Sequence, residues 1–377
     1  MEFMFNEEQK MLRDMVKEFG EKEIVPVMAG YDRTGELPME LYKKAMEMGL
    51  HALEIPVEYG GAGLDVLTAC FIQEELAKYD AGFAAGLSAT GLATKPVLIA
   101  GTEEQKKMFT DVIVSGGIAG FCLTEPEAGS DASAVKTNAV KEGEEYVING
   151  SKCFITNGGI ADIYTVIAST DKGKGVKGLS AFIVERNRTG ISIGKEEDKM
   201  GIRLTNTTDV VFENVRIPES NLIGKEGDGF KIFMKTLDLS RPLVGACTVG
   251  ICQTAINHCV KYSKERVTFG KPIAANQAIQ FMLADMEIQT EAARQLVYST
   301  ASLIDAKQPH SKESAIVKCF ATDIAMKVTI DAVQIFGGYG YSREYPVEKL
   351  MRDAKIFQIF EGTNQIQRMV VASNMLR

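Results

Sequence analysis

Glu361 is an acid whose neighbours could make it a general base. It directly follows Ile359-Phe360 and precedes Gly362, a residue that would break a helix at that point. A carboxyl group held against apolar neighbours is desolvated, and desolvation raises its pKa toward neutrality, where a carboxylate is an effective base. The plainer alternative is a solvated glutamate at a helix end. Two other segments could carry chemistry. Leu123-Thr124-Glu125-Pro126-Glu127-Ala128-Gly129-Ser130-Asp131 gathers hydroxyls, small residues and backbone donors in one turn, which suits a flavin edge or a phosphate. It reads equally well as a turn that Ser130-Asp131 caps. Arg266-Val267-Thr268-Phe269-Gly270-Lys271-Pro272 lies between two long helical patterns. There Arg266 either answers a helix dipole or, with Phe269 and the glycine turn, clamps a phosphate and an adenine.

Several other chemistries are excluded. Gly337-Gly338-Tyr339-Gly340 follows a helical pattern, whereas a dinucleotide-binding turn follows a strand, and no GxxxxGK[ST] occurs. The seven cysteines form no CxxC pair and no metal-ligand spacing with the three histidines. They are expected as reduced core thiols in a cytoplasmic protein. A net charge of −8 argues against nucleic acid, which needs a basic face, while leaving room for a small anionic ligand. The opening MEFMFNEEQK carries neither the basic nor the apolar region of a secretory signal. Ala81–Ile99 is the only membrane candidate, but its Gly, Ser, Thr and Pro96 content fits a buried helical segment and its connection better than a membrane span.

The elements that must position these residues fall into three regions. At 377 residues, 45% apolar and 24% charged, the chain suits two or three packed subdomains of ordinary globular composition. Residues 1–118 read helical. Asn6 caps a helix that Pro26 ends, Pro38 opens a second, a third spans about Leu67–Tyr79, and a fourth starts near Thr102. Residues 119–225 alternate in short apolar segments, with a hairpin predicted at Asn149-Gly150 and further strands at Ile163–Ala168, Leu179–Val184 and Val210–Ile217. Residues 226–377 return to helices over about 230–265, 275–306, 311–336 and 346–376. An apolar stripe of Ile279, Met282, Leu283, Met286 and Ile288 lies in the second, and Pro242 is expected to kink the first.

Taken together, the segments Glu58-Tyr59-Gly60-Gly61, LTEPEAGSD, NGSKCFITNG, RVTFGKP, QIFGGYGYSREYPVEKLMRDAK and FEGTNQIQR resemble the acyl-CoA dehydrogenase family over essentially the whole chain. The resemblance implies an α+β fold: an N-terminal α-helical domain, a middle antiparallel β-barrel-like domain and a C-terminal four-helix bundle, assembled as a homotetramer. It implies FAD in a cleft between the β domain and the bundle. Leu123 and Thr124 match positions at the flavin pyrimidine edge, Thr156 the position near N5, and Phe154 the aromatic beside the ring. Arg266, Phe269 and Gln277, with Gln334, Gly337 and Gly338 of a neighbouring copy, match positions gripping the adenosine pyrophosphate. Thr363 and Gln365 match cofactor contacts. Ser130 and Arg241 match residues steadying CoA, with Asp238 and Gly362 also at the substrate. The family's base stands either before the Gly-Thr of the last motif or in the helix around Leu237–Arg241. Ser240 holds the second place, so Glu361 takes the role. Phe360 stands where Tyr is common, and Phe154 where Trp is frequent.

The activity implied is α,β-dehydrogenation of an acyl-CoA to trans-2-enoyl-CoA. Glu361 would take the α proton, its N–H and a flavin ribityl hydroxyl would hold the thioester oxygen, and N5 would accept the β hydride. Electron-transfer flavoprotein is the expected acceptor. The same site run in reverse is an enoyl-CoA reductase, and a same-fold flavin oxidase is a further alternative. Overall likeness to butyryl-CoA dehydrogenases points to short straight chains.

Overall fold

The computed structural model describes residues 5–376, so the first four residues of the N-terminal stretch considered above lie outside the described residues. Asn6 caps α1 (Glu7–Phe19) reciprocally: its side chain accepts from Gln9 N at 2.8 Å, while Gln9 Oε1 accepts from Asn6 N at 3.1 Å. The expected stop at Pro26 does not occur. A π turn over Gly20–Ile24 passes directly into α2 (Val25–Thr34), and Pro26 sits in the first turn, where a missing N–H breaks no helical bond. Pro38 opens α3 (Met39–Glu47), Asp65 caps α4 (Val66–Ala77), Asp80 caps α5 (Ala81–Ala100), and Thr102 caps α6 (Glu103–Val114). The segment expected as helix plus connection is helical throughout, Pro96 included.

The middle region is a sheet. Its strands are β1 (Ala119–Cys122), β2 (Asn138–Glu142), β3 (Glu145–Thr156), β4 (Ile163–Ser169), β5 (Leu179–Glu185), β6 (Ile191–Glu196), β7 (Thr207–Pro218) and β8 (Leu222–Ile223). They lie in the order β6-β7-β3-β2-β4-β5-β8, mostly antiparallel, with β1 parallel alongside β4 and β2 touching β4 in parallel at Asn138–Ser169. The predicted hairpin at Asn149-Gly150 is absent, because β3 runs straight through it. The tight turn falls at Gly143-Glu144 instead, pairing Glu142 with Glu145. Gly150 has φ +153, and a Cβ there would lie 2.3 Å from Thr137 Oγ1. Pairing with β7 shifts register between Ile148 and Gly150, so the glycine marks a bulge. Asn149 Oδ1 accepts from Asn214 N on the neighbouring strand at 2.8 Å and so closes no turn of its own.

Beyond the sheet come α7 (Gly229–Glu265), the two-stranded hairpin β9 (Val267–Thr268) and β10 (Lys271–Pro272), α8 (Gln277–Asp305), α9 (Ser311–Phe336), α10 (Val347–Phe357) and α11 (Asn364–Met375). The helix expected over 346–376 is therefore two helices, and Glu361 lies between them. Pro242 sits within α7, which continues on both sides as one 37-residue helix. α7 packs on α4, α5, α8 and α9, while α10 and α11 lie against α9. Both α5 and α7, not α5 alone, are long and apolar enough to cross a membrane, yet 67% and 72% of their most apolar windows are buried inside the protein. Along α8, Met286 is buried and Ile279, Met282 and Leu283 pack on the core, but Ile288 is 65% exposed. It stands two residues from Met286, about 200° round the helix.

One buried ion cluster joins all three regions. Lys349 of α10 donates to Asp80 Oδ2 at 2.7 Å and Asp353 Oδ2 at 2.5 Å. Asp80 Oδ1 also accepts from Phe83 N, capping α5, and Asp353 Oδ1 accepts from Ile202 N in the segment before β7. Burial alone would depress the Lys349 pKa, but Asp353 and Asp80 outweigh it and hold the ammonium above its usual range. Lys349→Met would strand two carboxylates in the interior. We expect a loss of about 3–5 kcal/mol in urea denaturation, whereas exposed Lys43→Met, which breaks only a surface pair with Glu40, costs under about 0.5 kcal/mol.

Candidate active site

The α10–α11 break is a built loop. Asn364 N bonds Gln358 O at 3.0 Å, and Thr363 caps α11 by accepting from Ile366 N at 3.3 Å. Gly362 has φ +89, with its carbonyl accepting from Lys318 Nζ at 2.7 Å and Gln367 Nε2 at 2.9 Å. Glu361 takes a left-handed φ of 52, a conformation that costs a non-glycine residue about 1–3 kcal/mol and persists only where its surroundings enforce it. Its N–H has no acceptor among the described residues.

The Glu361 side chain is half-buried and opens into a cleft of about 1280 Å³. Ser240 Oγ donates to Glu361 Oε2 at 2.5 Å, so a hydroxyl from α7 contacts the carboxylate directly. Burial raises the Glu361 pKa above the usual carboxyl value. The Ser240 hydrogen bond and the charges of Arg241, Lys318 and Lys95 oppose that rise without cancelling it. The Lys318 ammonium, itself buried, is pushed down to about 8 by desolvation. Arg241 is buried at 1% exposure. It pairs with Asp238 through Nη1 at 2.5 Å and leaves its Nε without a partner.

Of the residues singled out in the sequence, Leu123, Thr124, Ser130, Phe154, Thr156, Asp238, Arg241, Glu361, Gly362 and Thr363 all line this one cleft. β1 leads into the Leu123–Asp131 turn, and the end of β3 brings Phe154 and Thr156 opposite it. Cys153 N bonds Thr124 O at 2.9 Å, which locks the two segments together. The remaining residues lie elsewhere. Arg266, Phe269, Gln277, Gln334, Gly337, Gly338 and Gln365 are exposed and outside the cleft. Arg266 stacks over the Tyr339 ring at 5.4 Å, which draws the β9–β10 hairpin and the Gly337–Tyr341 turn into one patch.

Sequence reasoning missed the residues that hold the site in shape. Lys152, fully buried in β3, donates to Leu123 O at 2.9 Å and Glu125 Oε1 at 2.7 Å. Burial would raise the Glu125 pKa, but Lys152 and the N–H groups of Lys136 and Thr137 hold it below the usual range. Behind Glu361, Asn364 bonds Asp323, Thr322 and Lys318 together. Lys95, paired with Glu54, lines the far part of the cleft. The available signal was a lysine inside an apolar strand or helix, which is seldom buried without a partner.

A helical layer, a β sheet and a helical bundle around a cleft with a desolvated carboxyl group describe an enzyme active site built for proton transfer. Family models for the N-terminal, middle and C-terminal domains of acyl-CoA dehydrogenase match residues 6–117, 120–215 and 227–376. The chain belongs to the acyl-CoA dehydrogenase family, and it is an FAD-dependent oxidoreductase. The solved structure of butyryl-CoA dehydrogenase from Megasphaera elsdenii superposes with a TM-score of 0.97 at 48% identity, covering 99% of each chain. A chain in a structure described as the electron transferring flavoprotein of Acidaminococcus fermentans matches with a TM-score of 0.97 at 49% identity, again over 99% of both. Acryloyl-CoA reductase (NADH) of Anaerotignum propionicum is 46% identical over 380 residues, spanning 100% of this chain and 96% of that protein.

The cleft fits FAD on its own chemistry. The Thr124 and Thr156 hydroxyls have no partner among the described residues, and Phe154 presents a ring 64% exposed from a left-handed backbone of φ 55. Such a ring has no core to pack against and suits the flat face of a cofactor.

The loop geometry is open to a direct check. Gly362→Ala would add left-handed strain and place a Cβ 2.6 Å from Gln367 Nε2, whereas Gly116→Ala, at φ +93, meets nothing within 4 Å. In urea denaturation Gly116→Ala should cost about 1 kcal/mol. Gly362→Ala should cost more, the difference reporting the lost Gln367 bond.

Proposed function

We propose that this protein dehydrogenates a short-chain acyl-CoA between Cα and Cβ, giving the trans-2-enoyl-CoA, with Glu361 as the base. The observation that carries the reading is the half-buried carboxyl of Glu361 in a built helix break, bonded by Ser240 and facing the cleft. In water a carboxylate is far too weak a base for a proton α to a thioester. Desolvation strengthens it, and a preorganised donor on the thioester oxygen stabilises the developing enolate by roughly 3–4 kcal/mol. The Glu361 N–H, which has no acceptor among the described residues, would be such a donor. Bound FAD supplies the acceptor for the hydride from Cβ.

Around that base, Thr124 with Leu123 and Thr156 would hold the flavin ring edge, and Phe154 its face. Thr363 would contact the cofactor beside Gly362, and Gln365 would reach it from outside the cleft. Arg241 and Asp238 at one side, and Ser130 at the mouth, would steady the CoA portion. Arg266, Phe269, Gln277, Gln334, Gly337 and Gly338 would grip the FAD adenosine pyrophosphate across a subunit boundary of a homotetramer. Two features support that assembly: Phe269 is fully exposed, and Phe281, Ile288 and Ile330 lie exposed on α8 and α9. The protein would work in the cytoplasm with electron-transfer flavoprotein as acceptor, a partner supported by the Acidaminococcus fermentans likeness. The reductive direction is the second reading, favoured by the likeness to acryloyl-CoA reductase.

Glu361→Gln is expected to retain FAD and fold while anaerobic butyryl-CoA no longer bleaches the flavin. Bleaching at a near-normal rate would remove Glu361 from the role. The base must be ionised to act, so bleaching should fail as pH falls through its raised pKa. Ser240→Ala removes a bond that favours the ionised form, so the Glu361 pKa rises further and the acid limb of the rate profile moves to higher pH. An unmoved limb would mean that another group titrates there.

A further inference from the structure

One arm of the cleft that holds Glu361 lies between α7 and α5. Ser240, Leu243, Val244 and Cys247 recur at i, i+3, i+4 and i+7 and so face it from α7, while Ala85, Ser88, Ala89 and Leu92 face it from α5. Apart from Lys95, which is 7% exposed, this lining is small or apolar. Next to Lys95 lies a second cavity of about 30 Å³, bounded by His51, Glu54 and Gln73 among others. Ser88, Lys95 and Leu243 border both spaces and form the partition between them. Lys95 Nζ donates to Glu54 Oε2 and to no other acceptor among the described residues. An ammonium carries three donors, so two remain. His51 Nδ1, buried beside the small cavity, also lacks a partner. The partition therefore carries a hydrogen-bonding group in an otherwise small or apolar wall.

We propose that Lys95, held by Glu54, is a specificity-determining residue that ends the acyl arm and selects a short acyl group whose far end carries a neutral hydrogen-bond acceptor such as a hydroxyl. This inference rests on reading the cleft as an acyl-CoA site. A methyl-ended chain reaching the wall desolvates the Lys95–Glu54 pair and returns no bond. A hydroxyl-ended chain accepts from the ammonium. An acyl carboxylate is disfavoured, because Glu54 already supplies the one negative charge that balances Lys95. A polar site rejects the analogue lacking the polar atom more strongly than an apolar site rejects an extra hydroxyl. Lys95 also lies within electrostatic reach of Glu361, which agrees with its position in the same cleft.

The test uses CoA thioethers, which lack the carbonyl that acidifies Cα and so bind without reacting. Affinities of the FAD-loaded protein for S-butyl-, S-hexyl- and S-octyl-CoA, and for the matching hydroxyl-ended S-4-hydroxybutyl- and S-6-hydroxyhexyl-CoA, are measured by calorimetry. At one of the two matched lengths the hydroxyl-ended ligand should bind roughly tenfold or more tightly than its methyl-ended counterpart, the strength expected of a hydrogen bond to a charged donor. The neutral double variant Glu54→Gln/Lys95→Met, which leaves no lone buried charge, should reverse that ratio and gain affinity for S-octyl-CoA. Methyl-ended ligands binding as tightly as hydroxyl-ended ones in the unaltered protein would overturn the proposal, whether or not the variant folds. So would a ratio that the variant leaves unchanged. Bleaching of the unaltered protein by butyryl-CoA reports the dehydrogenase reading separately, so a failed selectivity and a failed activity are told apart.

Discussion

Keeping one carboxyl group out of bulk water while leaving it able to ionise is the constraint that shapes this molecule. Glu361 meets it because the helical run stops where the side chain must point into the cleft. The stop is enforced from three directions: Gly362 in a left-handed turn, Thr363 starting a new helix, and Lys318 and Gln367 gripping the carbonyl between them. Ser240 then supplies one hydrogen bond, and the neighbouring cations supply long-range attraction. Burial still outweighs these, which leaves the Glu361 pKa above the usual carboxyl value.

The rest of the fold holds the cleft walls still around that group, and it does so with buried ion clusters between layers. Lys349 ties α10 to the start of α5 and to the segment before β7. Arg294 and Tyr298 of α8 converge on Glu74 of α4, and Arg294 also reaches Gln253 of α7. Lys152 and Glu125 fix the turn that follows β1. Apolar packing of equal volume could be as stabilising, but a buried charge tolerates very few partner geometries. That intolerance suits walls built from separate parts of the chain. Three residues that line the cleft, Phe154, Ile202 and Glu361, have positive φ, as do Asn157, Asn214, Phe269 and Lys307 outside it.

Much of this was legible in the chain itself. Helix starts at Asn6 and Thr102 followed from capping chemistry and the one at Pro38 from its fixed φ, all of them local, and Glu361 stood out because an acid against Ile359 and Phe360 beside a glycine is locally odd. The failures were of a different kind. Asn149-Gly150 has the composition of a tight turn, but Asn149 bonds Asn214 and Gly150 accommodates Thr137, two partners remote in sequence. Pro26 reads as a helix stop until a π turn makes it the opening of the next helix. Ile288 fits an apolar stripe by type, yet it faces outward.

The sequence by itself determined the order of helical and sheet regions and placed Leu123, Thr124, Phe154, Thr156, Arg241 and Glu361 among the residues to be brought together, because caps, periodicity and dense motifs are properties of neighbours along the chain. Only the tertiary structure decided which polar residues are buried and what pairs with them. Lys95 and Glu54 are 41 residues apart, Ser240 and Glu361 are 121 apart, and Asp80 and Lys349 are 269 apart. No local pattern encodes such pairings. The cost of an uncompensated charge in a dry interior enforces them, and that cost exists only once the layers have closed over it.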